Sequence, residues 1–567
     1  MYKIPETANA PKLEAYHLYE QGWESYEELT DSFEWQVPET LNVASYTCDR
    51  WAEGYPDRTA LRIRNDPRGK GEYTFGEMQA AANRLANYFQ SEGVTRGDRV
   101  GVNVPQKAES VITHLAAWKT GAVSVPLSTL FGPDALRYRL DDSGASVCLV
   151  DNSTVDVYRE IAEDLDALDT VLTVGDVDQA DGETDFWDAL EGHSDEFETV
   201  QTAPEDDLTI FYTSGTTGDP KGVRHAHRML LGHLPLFTSW FLSLELTDED
   251  VYWTPASWTW MGGLGIVVLP GMYFGMPTVG WNEQFEPADV FELVEDYTIT
   301  NFWIPPTALR MMMQEEQAAT RHDVSSVRTI TSGGESLGET IIEWVNDTFE
   351  GADIHEGYGQ TEANMTVGGC EPLDVSRPGK IGKEAPGHEV EILDPDTAEP
   401  TVEPGEVGEI GVRYEGNPAC FKAYWNKPEK TARKVQNGWL RTEDLGTIDE
   451  DGYLEFVSRT DDVIISSGYR IGPEEIEDSL AGHEAVADAG VIGIPDDERG
   501  EVPKAYLKLA DGHEPSDALE DELKGHVKTR LAKYEYPREL EFIEALPQTE
   551  TGKIRRVDLE KRHESET

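Results

Sequence analysis

From about Thr74 to Gly280 the chain alternates between helical and strand periods, and that alternation limits its fold more than any other feature. Thr74 and Glu77 form a capping-box pattern ahead of a helix carrying Leu85, Tyr88 and Phe89. Residues 98–104 read as a strand, and a helix through Leu115 and Trp118 follows. Short apolar runs recur at 147–150, 171–174 and 208–211. Strands that alternate with helices predict an α/β architecture with largely parallel sheets. Over 390–457 the pattern changes to short strands broken by Pro404-Gly405 and Asp451-Gly452, which predicts a smaller β-rich subdomain. After 459–462 the organisation resets. Pro473, with Glu474 and Glu475 behind it, opens a helix. A strand pattern follows over 486–494. Leu519, Leu523, Val527 and Leu531 then recur at four-residue spacing behind a Ser516 cap. At 567 residues the chain exceeds one hydrophobic core. The expectation is a large N-terminal domain over 1–458, a hinge at 459–462, and a small mobile α+β domain over 463–567.

Charge excludes several functions. There are 109 Asp+Glu against 47 Lys+Arg, a net charge of −62, spread along the whole chain. No basic stripe exists to neutralise phosphates, which excludes a nucleic-acid partner. Such a surface repels itself in dilute buffer. At about 1 M salt the Debye length falls to roughly 3 Å, so the composition fits a salty cytoplasm, as in extreme halophiles. Cys48, Cys148, Cys370 and Cys420 form no CxxC pair, which argues against a zinc site or a disulfide framework. No signal-peptide core and no apolar run of about 18 residues occurs. The expectation is a cytoplasmic protein without a membrane partner; the oligomeric state is open, a homodimer included.

The strongest local signal is Tyr212-Thr213-Ser214-Gly215-Thr216-Thr217-Gly218-Asp219-Pro220-Lys221-Gly222. Small hydroxyl residues and glycines let backbone N–H groups approach a polyphosphate, and Lys221 adds a cation. It is not a Walker A loop, because Pro220 precedes the lysine and Gly222 replaces the Ser/Thr. Gly263-Leu264-Gly265 lacks a third glycine and is no dinucleotide fingerprint.

The loop resembles the phosphate loop of the adenylate-forming superfamily of acyl-CoA synthetases, peptide-synthetase adenylation domains and luciferases. Further motifs follow in that family's order. They are Gly333-Gly334-Glu335-Ser336, Tyr358-Gly359-Gln360-Thr361-Glu362, Trp439-Leu440-Arg441-Thr442-Glu443-Asp444, Ser458-Arg459-Thr460-Asp461-Asp462 and Thr551-Gly552-Lys553. The resemblance implies an ATP site built from Thr213 to Gly218, Lys221, Gly334, Glu335, Ser336, Glu356, Gly357, Tyr358, Gly359, Gln360, Thr361, Asp444, Arg459 and Lys553. Physically, Tyr358 can stack on a purine. Thr361 offers a hydroxyl to a phosphate, and Glu362 offers a carboxylate to Mg²⁺. Asp444, read as the end of a short strand, can accept from ribose hydroxyls. Lys553 is implied as the lysine that offsets charge when a carboxylate attacks the α-phosphate. Asp461 is implied as the hinge between two half-reactions with incompatible geometries.

Within the family, residues 466–473, Arg499-Gly500-Glu501 and 534–538 resemble medium-chain acyl-CoA synthetases. That implies CoA contacts from Ser467, Gly468, Tyr469, Arg470, Arg499, Lys528 and Tyr536. Acetate-specialised relatives carry Trp where Gly359 stands, so Gly359 implies an acyl cavity open to short, medium or branched acids. Trp258 and its neighbours over 253–260 and 301–307 are candidate lining. One departure is Glu443, where the family usually has glycine. The expected activity is AMP-forming acyl-CoA synthesis with ATP, Mg²⁺ and CoA. The alternatives are an acetyl- or propionyl-CoA synthetase and an enzyme that loads a separate carrier protein. No carrier domain fits in the roughly 105 residues after the hinge.

Overall fold

The computed structural model describes residues 3–213, 220–334, 337–400, 403–460, 462–466, 469–496, 499–510, 512–531, 536–548 and 553–566. Thr74 accepts a hydrogen bond from the Glu77 amide at 3.2 Å while the Glu77 carboxylate accepts from the Thr74 amide at 2.9 Å. The expected capping box therefore starts the Phe75–Ser91 helix, a start worth about 1 kcal/mol. That helix packs on Ala108–Thr120, whose every residue is buried. A helix covered on all sides must satisfy its charged side chains inside the protein: Lys119 pairs with Asp49, and Glu109 accepts from the Trp187 indole at 2.8 Å.

The described residues form four sheets. The first has eight strands, centred on Arg99–Asn103 and its parallel neighbours Val123–Pro126 and Ala145–Asp151. Its other end is antiparallel, where Asp207–Thr213 pairs with Lys221–Ala226. The second has nine strands with a parallel centre running through Tyr252–Trp253, Asn301–Trp303, Thr329–Gly333 and Asp353–Gln360. Thr59–Arg64 joins this second sheet beside Thr278–Trp281, Leu61 opposite Thr278. The alternating stretch thus feeds two sheets.

The β-rich subdomain is the third sheet, with Gly408–Arg413 and Trp439–Ile448 at its centre. A short helix, Pro428–Lys434, interrupts it. The fourth sheet, within the C-terminal α+β domain, pairs Val486–Asp496 with Gly500–Leu509 and adds Ile464–Ser466, Tyr469–Ile471 and Glu539–Phe542. Ser516 caps Asp517–Arg530 through the Leu519 amide at 3.2 Å. Leu523 and Val527 of that helix are fully buried with Ile476, Leu480, Val491 and Leu507. Truncating such a leucine to alanine costs about 2–5 kcal/mol. The last helix, Arg556–Glu566, covers the opposite face, where Leu559 meets Ile492, Val502 and Tyr506. No described helix is long and apolar enough to cross a membrane.

Candidate active site

The strands Asp353–Gln360 and Asn364–Gly368 run antiparallel, and their connection carries Thr361 and Glu362. Glycines let this pair lie close to its surroundings. A Cβ on Gly357 would stand 2.2 Å from the Trp240 ring, and one on Gly333 would stand 2.5 Å from the Gly357 carbonyl oxygen. A Cβ on Gly359 would stand 1.9 Å from the Asn364 carbonyl oxygen and 2.6 Å from Met365 Cα. Those are backbone atoms, so any side chain there forces the strands apart. The missing side chain of Gly359 faces the neighbouring strand, so an indole there has to displace backbone. Trp258 is fully buried and packs against Gly280, and Trp253 packs between Trp281 and Phe302 in the second sheet's core.

Asp444 lies in the middle of the ten-residue strand Trp439–Ile448, which corrects its reading as the end of a short one. The pairing with Gly408–Arg413 skips from Arg441 opposite Gly411 to Leu445 opposite Glu409, so residues 442–444 bulge. A bulge re-aims a side chain without ending the strand. Glu443 takes φ 65 there, a left-handed backbone that explains why glycine suits this position in the family. Asp444 accepts from the Tyr358 hydroxyl at 2.6 Å and from Gln360 Nε2 at 3.4 Å, and Arg459 Nε stands 3.8 Å from it. Burial raises the Asp444 carboxyl above its usual range, against the pull of Tyr358, Arg459, Lys434 and Lys553. Lys434 also donates to the Thr442 carbonyl at 3.0 Å and pairs with Glu443 at 3.3 Å.

At the other end of the cleft, Thr213 and Lys221 face each other across two antiparallel strands, and 214–219 (Ser214, Gly215, Thr216, Thr217, Gly218 and Asp219) lie outside the described residues. Glu362 is 7% exposed and accepts from the Tyr424 hydroxyl at 2.6 Å. Lys221 Nζ lies 5.0 Å from the Tyr424 ring centroid. Burial lowers the Lys221 ammonium's pKa, and the nearby Glu362 and Glu443 carboxylates raise it again. His225 Nε2 donates to the Thr361 carbonyl at 2.7 Å, and burial pushes this imidazole down to about 3. It is a neutral donor that fixes the Thr361 turn. Among the described residues no three His, Cys, Asp or Glu side chains gather to hold a metal. A single oriented carboxylate fits Mg²⁺, which takes most of its ligands from phosphates and water. Glu356 is half-buried, and burial pushes its carboxyl up to about 8, with Asp478 of the C-terminal domain beside it and a hydrogen bond from the Leu337 amide holding it down.

Lys553 arrives from the C-terminal domain. Its Nζ lies 3.7 Å from the position a Gly334 Cβ would take, and Gly334 has φ 94, a backbone that favours glycine. One cleft thus brings together Gly334, Tyr358, Gln360, Asp444, Arg459 and Lys553. Glu335, Ser336, Asp461, Ser467 and Gly468 lie outside the described residues. Of the other expected CoA contacts, Tyr469 lies in the strand Tyr469–Ile471 with Arg470, while Arg499 is exposed at the near end of the same sheet, where Ser466 pairs with Gly500. Lys528 Nζ lies 5.0 Å from the Tyr536 ring and the Arg538 guanidinium 4.1 Å from it. Sequence reasoning missed Tyr424, His225 and Lys434. None stands in a recognisable motif, and only the folded chain brings them to the cleft.

A two-domain α/β fold with these motifs gathered in one cleft defines an AMP-binding enzyme. Residues 48–425 match the family model described as AMP-binding enzyme, and 475–553 match that of the AMP-binding enzyme C-terminal domain. The chain belongs to this family. It is 35% identical over 511 residues to the "uncharacterized acyl-CoA ligase YtcI" of Bacillus subtilis (strain 168), covering 89% of this chain and 93% of the relative. It is 32% identical over 556 residues to the mitochondrial acyl-coenzyme A synthetase ACSM3 of Mus musculus, covering 96% and 94%. Among solved structures, the anthranilate CoA ligase AuaEII in complex with anthranoyl-AMP matches with a TM-score of 0.85 at 29% identity, over 93% of this chain and 98% of that one.

Proposed function

We propose that this chain joins a short-chain, medium-chain or branched carboxylic acid to CoA in two half-reactions driven by ATP. It is an ATP-dependent acid–thiol ligase, an AMP-forming acyl-CoA synthetase working in the cytoplasm. In the first half-reaction a carboxylate oxygen attacks the α-phosphorus. A new P–O bond forms, the bond to the bridging oxygen breaks, and pyrophosphate leaves. In the second, the CoA sulfur attacks the acyl carbon, the thiol proton passes to solvent, and AMP leaves. Asp444 accepts from the ribose hydroxyls, with Tyr358 and Gln360 orienting its carboxylate. Thr361 and Lys221 meet the phosphates. Mg²⁺, held by Glu362, would neutralise phosphate charge. The ammonium of Lys553 offsets the repulsion between two anions and the charge growing on pyrophosphate.

The observation that supports this reading best is Lys553 beside Gly334 and Asp444. It supports an adenylation arrangement in which the bodies over 1–458 and 463–567 close about a hinge at 459–462. Thioester formation then needs the lysine withdrawn and a CoA channel opened by rotation. Lys553→Ala should lower adenylation about 10²–10³-fold, the usual loss for one fixed electrostatic stabiliser. Given synthetic acyl-adenylate and CoA, the same variant should form thioester at a near-normal rate. Equal loss of both half-reactions in a folded variant would refute the division of labour.

A further inference from the structure

The Pro473–Ala481 helix presents acidic side chains in two directions. Glu474 and Glu477, three apart, share one face. Asp478 is turned about 100° from Glu477. Arg556, first residue of the last helix, meets the first face. Its Nη2 lies 3.0 Å from Glu474 Oε1 and 2.7 Å from Glu477 Oε2, and its Nη1 lies 3.0 Å from Asp462 Oδ2. Its Nε donates to the Val491 carbonyl at 3.2 Å, and Glu477 accepts from the Val491 amide at 2.7 Å. On its other side the helix pairs Asp478 with Arg310 of the large domain at 3.4 Å.

Two facts make this more than a surface ion pair. The four side chains are only 12–22% exposed, and three carboxyl groups converge on one guanidinium. Burial raises the Glu474 and Glu477 carboxyls, the latter to about 8. The position of the guanidinium is also specific. Asp462 directly follows the expected hinge residue Asp461, and Lys553 stands three residues before Arg556. A planar fork with several donors can fix both ends at once, which a lysine cannot.

We infer that Arg556 is a positioning residue for Lys553, tying the segment just past the hinge to the loop that delivers the ammonium. Closure of the small domain, latched through Asp478 and Arg310, therefore sets the lysine over Gly334 at one spacing. The inference rests on the proposed adenylation role of Lys553. The test is Arg556→Lys in the full chain, with each half-reaction assayed separately. Adenylation kcat should fall roughly ten- to a hundredfold, the scale expected of a misplacement near 1 Å, with KM for ATP changed by less than about twofold. Thioester formation from synthetic acyl-adenylate should stay within about threefold. Equal loss in both halves, or no loss in either, would overturn the inference. If Arg556→Lys does not fold, Asp462→Asn decides, with a smaller loss confined to adenylation and an unchanged melting temperature. Lys553→Ala run alongside separates the two failures. If it shows no split between half-reactions, both readings fall. If it splits and Arg556→Lys does not, only this one falls.

Discussion

The two domains bury charge in different ways. In the large one, several cations each meet one buried or nearly buried carboxylate: Lys107 with Asp151 at 2.6 Å, Lys119 with Asp49, and Arg441 with Glu409. In the small one, Asp462, Glu474 and Glu477 crowd a single guanidinium. The fully buried histidines all lie in the large domain. His114, His225, His227, His233 and His355 of the large domain are buried and pushed down to about 3, and His17 and His388 to about 4. In the small domain His483, His513, His526 and His563 all reach solvent. The large domain spreads its buried pairs apart, whereas the small one gathers three carboxyls at one guanidinium.

Acid should break this symmetry first and most. Below pH 6.5 the unfolded chain takes up protons on imidazoles that the native large domain keeps neutral until about pH 3. The unfolded state binds more protons throughout that window, so stability falls as pH falls from 6.5 toward 3. All 14 tryptophans lie in the large domain and none in 463–567. Tryptophan emission followed against urea at pH 7.5 and pH 5 should show a much lower midpoint at pH 5. An unchanged midpoint would mean that these histidines titrate in the native state.

The next largest effect concerns Gly359. Reading the sequence alone, Gly359→Trp should shift preference toward acetate. The structure predicts instead that even Gly359→Ala destabilises the large domain by on the order of 2–4 kcal/mol, by overpacking against the Asn364 carbonyl. A folded Gly359→Trp enzyme with an altered chain-length profile would show that the strand pair can yield.

The smallest effect sits at the boundary between the domains. Glu443, at φ 65, receives the Thr460 amide at 2.9 Å and the Thr460 hydroxyl at 3.0 Å on its carbonyl, so the bulge also anchors Thr460. Glu443→Gly should relieve about 1 kcal/mol of left-handed strain, offset in part by the half-exposed Lys434 pair, worth about 0–1 kcal/mol. A net gain of a few tenths to 1 kcal/mol in urea unfolding, with an unchanged m-value, is the expected result. A clear loss would show that the Lys434 contact outweighs the backbone strain.

Much of the fold was legible locally. The Thr74–Glu77 box, the Ser516 cap and the Pro473 helix start stand where their residue types predict, because each depends on neighbours within four positions. The ordered motifs named the nucleotide cleft because phosphate, ribose and metal each demand a short run of particular groups. What the sequence did not reveal depends on distance. The pairing of Leu61 with Thr278 assigns an early strand to the second sheet, and no local period encodes which sheet a strand joins.

The sequence by itself determined the element types, the two-domain plan, the motif order and the acidic surface, since these follow from periodicity, turn chemistry and charge count. The tertiary structure alone decided which way Gly359 faces, how a bulge aims Asp444, that Tyr424 orients Glu362, and that Arg556 joins Asp462 to the Pro473–Ala481 helix. Each of these is set by a close approach between residues far apart in the chain. Such contacts are fixed only when packing chooses one arrangement among many that the local pattern allows.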